Sequence, residues 1–389
     1  MTKILEHNMD STYFNEEHHI FRKSFRDFVK KEIRPYAEEW EESEIYPREI
    51  FKRMGDLGFL GVSYPEEYGG GGGDYFTTIV FAEEISRCGA LGFAMSVLVQ
   101  TDVASSALNE FGTHEQKLKF LKPVLAGGKI IALGVTEPNH GSDVASLETT
   151  AVREGDHYVI KGSKIFITNG TQADLITLGV RTGPEEGEKG LSLIIFETRT
   201  PGFSVGRKLK KMGMHSSDTA ELFFDDCIVP VENLLGKEGQ GFYGIMAGFE
   251  NERLVGAALS YSGAEVALEL SLQYAKQRIQ FGKPIGQFQV ISHMLSEMAT
   301  DIEAARQLAY HAAWLKSKGK PCRKEVQMAK LFATEIATQV ANKAVQIFGG
   351  YGYMQEYEVE RIYRDVRLAN IGAGTSQIMK NIIAKLLGL

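Results

Sequence analysis

The feature that most restricts this chain is a change of hydrophobic period near Ile130. Upstream, FRKSFRDFVKKEIRPYAEEW sets apolar residues three and four apart, and this helical pattern holds from about Ile20 to Lys129. From about Ile130 to Pro230 the repeat shortens to two. TTAVREGDHYVIKGSKIFITNG alternates in short runs around Gly155 and Asp156, a hairpin signal. DLITLGV, LSLIIFET and AELFFDDCIVP read as further strands, and turn residues at short intervals predict a compact β domain. From Gly241 helices return. Leu254, Ala258, Tyr261, Ala264, Leu268, Leu272 and Ala275 form one stripe. Ile291, Leu295, Met298, Ile302, Ala305, Ala312 and Leu315 form a second, ending near Gly319 and Pro321. A third spans about Arg323 to Phe348 and stops at Gly349 and Gly350. Long stripes with short joints predict a helical bundle. With 389 residues the chain is long for one core. The expectation is an α+β protein with helices over 1–129, a β domain over 130–235 and a bundle over 236–389.

Several function classes are disfavoured. A net charge of −7 argues against a nucleic-acid partner. No run of about 18 apolar residues occurs, so no integral membrane segment is expected. The start, MTKILEHNMDSTYFNEEHH, lacks the order of a secretory signal and the bias of a transit peptide. A cytoplasmic protein, bacterial in that case, or a processed chain of the mitochondrial matrix is expected. Cys88, Cys227 and Cys322 form no CxxC pair and read as buried or free thiols. The run Gly69 to Gly73 lacks the following Lys-Ser/Thr of a phosphate loop and reads as a flexible turn. No GxGxxG opens a βαβ unit, and HExxH, GxSxG and clustered Cys/His are absent, so no metal is expected. His18 and His19 read as solvated surface, and His293 and His311 as ordinary helix residues.

Five stretches carry possible chemistry. GVTEPNHGSDVAS and KIFITNGTQAD join short strands to turns rich in hydrogen-bonding groups, with Thr168 and Asn169 at a strand end. Such turns hold an anionic ring or a phosphate, or are ordinary loops. In AKQRIQFGKPIGQFQ, Arg278 at a helix end reads as a phosphate ligand or as a counter-charge to the helix dipole. In QIFGGYGYMQEYEVERIYRD the paired glycines admit close approach of a ligand to the backbone. In GFENERLVGAA, Glu250 and Glu252 cannot face the same way on a helix. Glu252 precedes Arg253 and an apolar stripe. A carboxylate at the mouth of an apolar groove suits a general base, whereas a solvated one is merely a helix start.

Taken together, TEPNHGSDVAS, KIFITNG, TAELFFDDCIVPVENLLG, RIQFGKPIGQFQ, QIFGGYGY and AGTSQI, in this order, resemble the acyl-CoA dehydrogenase family over nearly the whole chain. KLKKMGMHSSDTAELFFDDC and Phe166 are similar to the long-chain members, IGAGTSQI to the isovaleryl type, and citronellyl-type members are also close. The resemblance implies a homotetramer of subunits with N-terminal helices, a middle β-barrel-like domain and a C-terminal four-helix bundle. It implies non-covalent FAD, an acyl-CoA substrate and an electron-transferring flavoprotein as partner. By the same resemblance Thr136, Ser142, Phe166 and Thr168 line the flavin. Arg278, Phe281, Gln289, Gln346, Gly349 and Gly350 reach the FAD of a neighbouring subunit, and Thr375 and Gln377 lie near its adenosine diphosphate part. Ser142, Arg253, Ala373 and Gly374 border the substrate.

Many family members read YEGTS where this chain reads GAGTS, and the glutamate of that pattern removes the α-proton of the thioester. Ala373 has no proton acceptor. The isovaleryl and long-chain types place the base at the position of Glu252, so the resemblance implies Glu252 as base and a trans-2-enoyl-CoA product. The resemblance also gives the backbone N–H of Ala373 a role in polarising the thioester carbonyl, together with the flavin's ribityl hydroxyl. Without a carboxylate arm at Ala373 the cavity beside the α and β carbons is wider, which favours a branched or medium-to-long acyl chain. His140 and His215 depart from the family's pattern. Two alternatives stand beside this reading. One is an acyl-CoA oxidase, disfavoured because the chain stops at Leu389 soon after the bundle. The other is a catalytically silent acyl-CoA or flavin-binding protein.

Overall fold

The computed structural model describes residues 12–183, 185 and 187–389. Packing divides them into two compact units that do not follow chain order. One unit holds the described residues up to Glu39, Gly73–Ala94 and Arg253–Leu389; the other holds Trp40–Gly72 and Met95–Glu252.

The second unit is built on an eight-stranded sheet. Its strands are β1 (Ile131–Gly134), β2 (Thr150–Glu154), β3 (His157–Thr168), β4 (Leu175–Arg181), β5 (Leu191–Glu197), β6 (Phe203–Lys208), β7 (Thr219–Pro230) and β8 (Leu234–Leu235). They lie in the order β6-β7-β3-β2-β4-β5-β8, with β1 parallel to β4. The β2–β3 hairpin turns at Gly155, whose φ of 65° the turn needs. β4 and β5 read as unbroken apolar runs because both their faces are covered. Ile176, Leu178, Ile194 and Phe196 enter one core with Tyr158, Leu222 and Phe224. Leu175, Leu191, Leu193 and Ile195 enter another with Val103, Ala107, Phe120 and Leu125. β7, by contrast, alternates between buried and solvated positions on either side of a break at Asp225 and Asp226.

The glycine run is anchored rather than slack. The N–H groups of Gly70, Gly71 and Gly72 donate to the carbonyls of Pro65, Gly61 and Tyr64, so none of the three is turned toward a ligand. A Cβ on Gly70 would lie 2.1 Å from the Tyr64 oxygen, so close packing requires glycine there.

The helical run Leu91–Phe111 is long and apolar enough to cross a membrane, with mean hydropathy 1.3, but 83% of that window is buried in protein. Gln100, Thr101 and Asp102 interrupt it, which is why no 18-residue apolar run is visible in the sequence. Asp102 is buried and accepts from Thr101 Oγ1 at 2.5 Å. Burial pushes its carboxyl up to about 6, with the Thr101 bond opposing. A carboxyl whose pKa is raised in the folded state destabilises the fold where it must ionise. The loss begins near the unfolded pKa of about 3.8, grows to about pH 6 and then stays constant. Asp102→Asn is therefore expected to match the parent near pH 4 and to exceed it by about 2–3 kcal/mol at pH 8. Chemical denaturation at the two pH values tests this, and a margin that does not change with pH would refute it.

The first unit is helical. Its N-terminal helix Glu16–Phe28 starts with a capping box in which Asn15 Oδ1 accepts from His18 N and His18 Nδ1 accepts from Asn15 N, both at 3.0 Å. His18 is thus not solvated as expected; it is buried, with Nε2 2.7 Å from Asp74 Oδ1. The bundle has the long helices Gly241–Gln277 (from Arg253 on), Gln289–Ser317 and Arg323–Phe348, then Glu358–Val366 and Ser376–Leu386. Buried charge ties the N-terminal helix to it. Glu83 accepts from Tyr261 and Tyr310 hydroxyls at 2.7 and 2.6 Å and pairs with Arg22 at 2.6 Å. Glu84 pairs with Arg22 and Arg26, and Glu265 with Arg306 and Arg87. Burial, reinforced by Glu83, holds both tyrosine hydroxyls well above their usual range. All three cysteines are buried and none forms a disulfide.

Candidate active site

In the sheet unit, two of the motif stretches meet. The Ile165 N–H donates to the Thr136 carbonyl at 2.9 Å, which sets the turn after β1 against the end of β3. There the β3–β7 register jumps between Lys164 and Ile167. At this bulge Phe166 has φ 61° and the residue is 65% exposed. A large aromatic held outward by an unfavourable backbone conformation is a candidate functional position. Thr168 is half-buried and paired with Thr219, and Ser142 is exposed in the turn that begins at Thr136.

An ion pair absent from the sequence expectations locks this corner. Lys164, fully buried, donates to Glu137 Oε1 at 2.8 Å and to the Val135 carbonyl at 3.2 Å. Glu137 also accepts from the Glu148 and Thr149 amides at 2.6 and 2.9 Å. Burial lowers the Lys164 pKa to about 8, with Glu137 opposing that fall. Burial works to raise the Glu137 carboxyl, but Lys164 and the amide donors hold it below its ordinary value. Ligand atoms of Glu137, His140 and Glu148 lie within 4.8 Å of one another, a spacing a cation would accept. His140 faces Glu148 at 3.3 Å, and His215 Nε2 lies 3.0 Å from the Lys211 carbonyl.

In the helical unit, Arg278, Gly349 and Gly350 line one surface cavity of about 420 Å³ with Tyr274, Phe348 and Tyr351. Arg278 lies over the Tyr351 ring at 5.4 Å. Gly349 has φ 60° and ψ −137°, a conformation only glycine holds without strain, and the space where a Cβ would stand on Gly349 or Gly350 is open. Gln346 is exposed and its carbonyl accepts from Gly349 N–H. Gln289 and Phe281 are exposed outside the walls of this cavity. Phe281 is 93% exposed at φ 50°, its ring edge-on to Phe288 at 6.0 Å.

The GAGTS turn is also in this unit. Arg253, 4% exposed, donates from Nε to the Ala373 carbonyl at 3.0 Å. Ala373 has φ 57° and Gly374 φ 95°. A Cβ on Gly374 would lie 2.8 Å from Met379 Cε, a flexible tip that can give way, so it is the φ of 95° that calls for glycine. Thr375 caps the last helix by accepting from Ile378 N–H at 3.2 Å, and Gln377 is exposed. Lys330 donates to the Gly374 carbonyl at 2.7 Å and is 2% exposed. Sequence reasoning missed it. The available signal was a lysine between Ala329 and Ala333, on the stripe that the third long helix buries. Glu252, the last residue of the sheet unit, is half-buried on the helix Gly241–Gln277.

These features suit the parts of FAD, unit by unit. The outward Phe166 ring beside hydroxyl-bearing turns suits a planar heteroaromatic ring. The open glycine backbone and Arg278 in the cavity suit a phosphate-bearing group.

Models of the acyl-CoA dehydrogenase N-terminal, middle and C-terminal domains match residues 15–128, 132–227 and 239–388. An acyl-CoA dehydrogenase of Bacillus subtilis (strain 168) is 46% identical over 96% of this chain and 99% of its own. A short-chain specific acyl-CoA dehydrogenase of Clostridium acetobutylicum is 44% identical over 95% and 97%. A chain in the solved structure described as the electron transferring flavoprotein of Acidaminococcus fermentans superposes with a TM-score of 0.94. It shares 42% identity over 97% of this chain and 99% of that one.

Proposed function

The chain belongs to the acyl-CoA dehydrogenase family and is a FAD-dependent oxidoreductase; from that premise we propose α,β-dehydrogenation of an acyl-CoA to the trans-2-enoyl-CoA with Glu252 as base. The observation that carries this is the turn itself. Ala373 offers a backbone N–H and no carboxylate, and the buried Arg253 that fixes its carbonyl is the residue next to Glu252.

In this reading Glu252, half-buried, takes the α-proton; partial desolvation suits a carboxylate to that task. The Ala373 N–H donates to the thioester oxygen and stabilises the charge that develops there. Phe166, Thr136, Ser142 and Thr168 hold the flavin ring, and Ser142 also meets the CoA side. FAD, when bound, supplies the acceptor for the β-hydrogen and its electron pair. The cavity of Arg278, Gly349 and Gly350, with Gln346 beside it, receives part of the FAD of a neighbouring subunit, and Thr375 and Gln377 lie near an adenosine diphosphate part. Phe281 and Gln289 reach the FAD of a neighbouring subunit in a homotetramer; an almost fully exposed phenylalanine at positive φ supports a contact there. The spans of the three domain matches support domains at 1–129, 130–235 and 236–389. Likeness to a chain of an electron transferring flavoprotein structure supports such a flavoprotein as the electron acceptor. The bacterial origin of the relatives supports the cytoplasm as its location.

The space left at Ala373 supports a branched or medium-to-long acyl chain. A second reading, a short straight chain, is supported by the short-chain specific relative. Anaerobic titration of the FAD-loaded protein with straight and branched acyl-CoAs decides between them. Fastest flavin bleaching by a branched or longer thioester is expected. Fastest bleaching by a short straight one selects the second reading, and bleaching by none refutes dehydrogenation.

A further inference from the structure

The GAGTS turn is fastened at three points. Upstream, the Gly372 N–H donates to the Leu368 carbonyl at 2.9 Å. Arg253 fixes the peptide group between Ala373 and Gly374, and Lys330 fixes the next one, between Gly374 and Thr375. Among the described residues, no backbone carbonyl accepts from the Ala373 N–H itself. The anchors thus surround that N–H and leave it available.

This conformation does not hold itself. Alanine disfavours the left-handed region, and Gly374 is the residue type whose backbone swings most easily. Arg253 alone would leave the peptide group after Gly374 free to turn about the Gly374 ψ, so the turn that carries the Ala373 N–H would be held on one side only. Lys330 removes that freedom from a different helix. A buried ammonium is costly to desolvate, and an apolar side chain would pack at this place without that cost. The bond to the Gly374 carbonyl helps to offset that cost.

We propose that Lys330 is a positioning residue for the dehydrogenation, acting through the Gly374 carbonyl to aim the Ala373 N–H at the thioester oxygen. This rests on the reading of that N–H as the thioester's donor. Lys330 touches neither substrate nor flavin in this scheme. Its loss misdirects a donor, and misplacement near 1 Å costs about 10² in rate.

The test uses the full-length FAD-loaded protein and Lys330→Met. The expected result is a fall of about 10²-fold in kcat, with KM for the acyl-CoA changed much less. Binding gives the independent readout. The parent should bind a thioester more tightly than the matching S-alkyl-CoA, a thioether without the carbonyl. In Lys330→Met that preference should collapse while thioether affinity stays constant, and Lys330→Arg, which keeps a donor, should restore most of it. If Lys330→Met does not fold, Lys330→Ala, which also has no donor, is measured in the same way, with the same collapse expected. An unchanged thioester preference overturns the proposal, including the case in which only stability or FAD content falls. Glu252→Gln is the control: it should keep the thioester preference and lose turnover, so an error about the base shows in that variant alone.

Discussion

Glu252→Gln should slow anaerobic flavin bleaching by acyl-CoA by about 10²–10⁴-fold, the usual contribution of a positioned general base. Glutamine keeps the size of the side chain and removes its proton acceptor, so FAD content and acyl-CoA affinity should stay close to the parent's. No carboxylate in the GAGTS turn can substitute, because the residue there is Ala373. Stopped-flow measurement of bleaching gives the number directly. A rate within threefold of the parent's would remove Glu252 from the role. Adding Ala373→Glu to the variant offers a positive check, since a carboxylate placed in the turn should recover part of the rate. Ala373 already carries a Cβ at φ 57°, so the glutamate adds little backbone strain there.

Lys164→Met should be the most damaging change in the sheet unit. It leaves Glu137, 4% exposed, with two amide donors and without its counter-charge. Breaking a buried pair by removing one partner costs about 3–5 kcal/mol. The damage should reach the cofactor, because Glu137 follows Thr136 directly, and Thr136 is hydrogen-bonded to Ile165 beside Phe166. Denaturant unfolding and FAD retention on gel filtration should fall together. Glu137→Gln combined with Lys164→Met should recover much of the stability, since no uncompensated charge then remains. A loss below about 1 kcal/mol in the single variant would show that the pair does not hold this corner.

What the sequence disclosed followed from local signals. The shift of period near Ile130, the Gly155 turn and the stop at Gly349 are decided by neighbours in the chain, and each appears in the structure where it was read. The alanine at 373 was legible because the motif around it was intact. Lys164, Glu137, Asp102 and Lys330 were not. In a string of letters a charged residue reads as solvated, and only tertiary packing reveals that it is buried and what repays the burial. His18 was misread for the same reason: its partner Asp74 lies 56 positions away. The division into packing units was equally hidden, because the segments Gly73–Ala94 and Arg253–Leu389 are brought together by pairs such as Glu83 with Tyr310.

That last pairing bears on how the protein is made. Glu83 is synthesised 227 residues before Tyr310, and at ordinary elongation rates the delay is roughly 11–45 s. Throughout that interval the segment Gly73–Ala94, and the N-terminal helix joined to it by Arg22 and Glu83, have no bundle to receive them. The sheet unit, complete once Glu252 has been made, has no such wait for later chain. Biogenesis should therefore pass through a nascent chain whose middle is folded while its first helix is still sticky. That helix is the segment that a ribosome-associated chaperone would need to shield, and overproduction without one should lose yield there first.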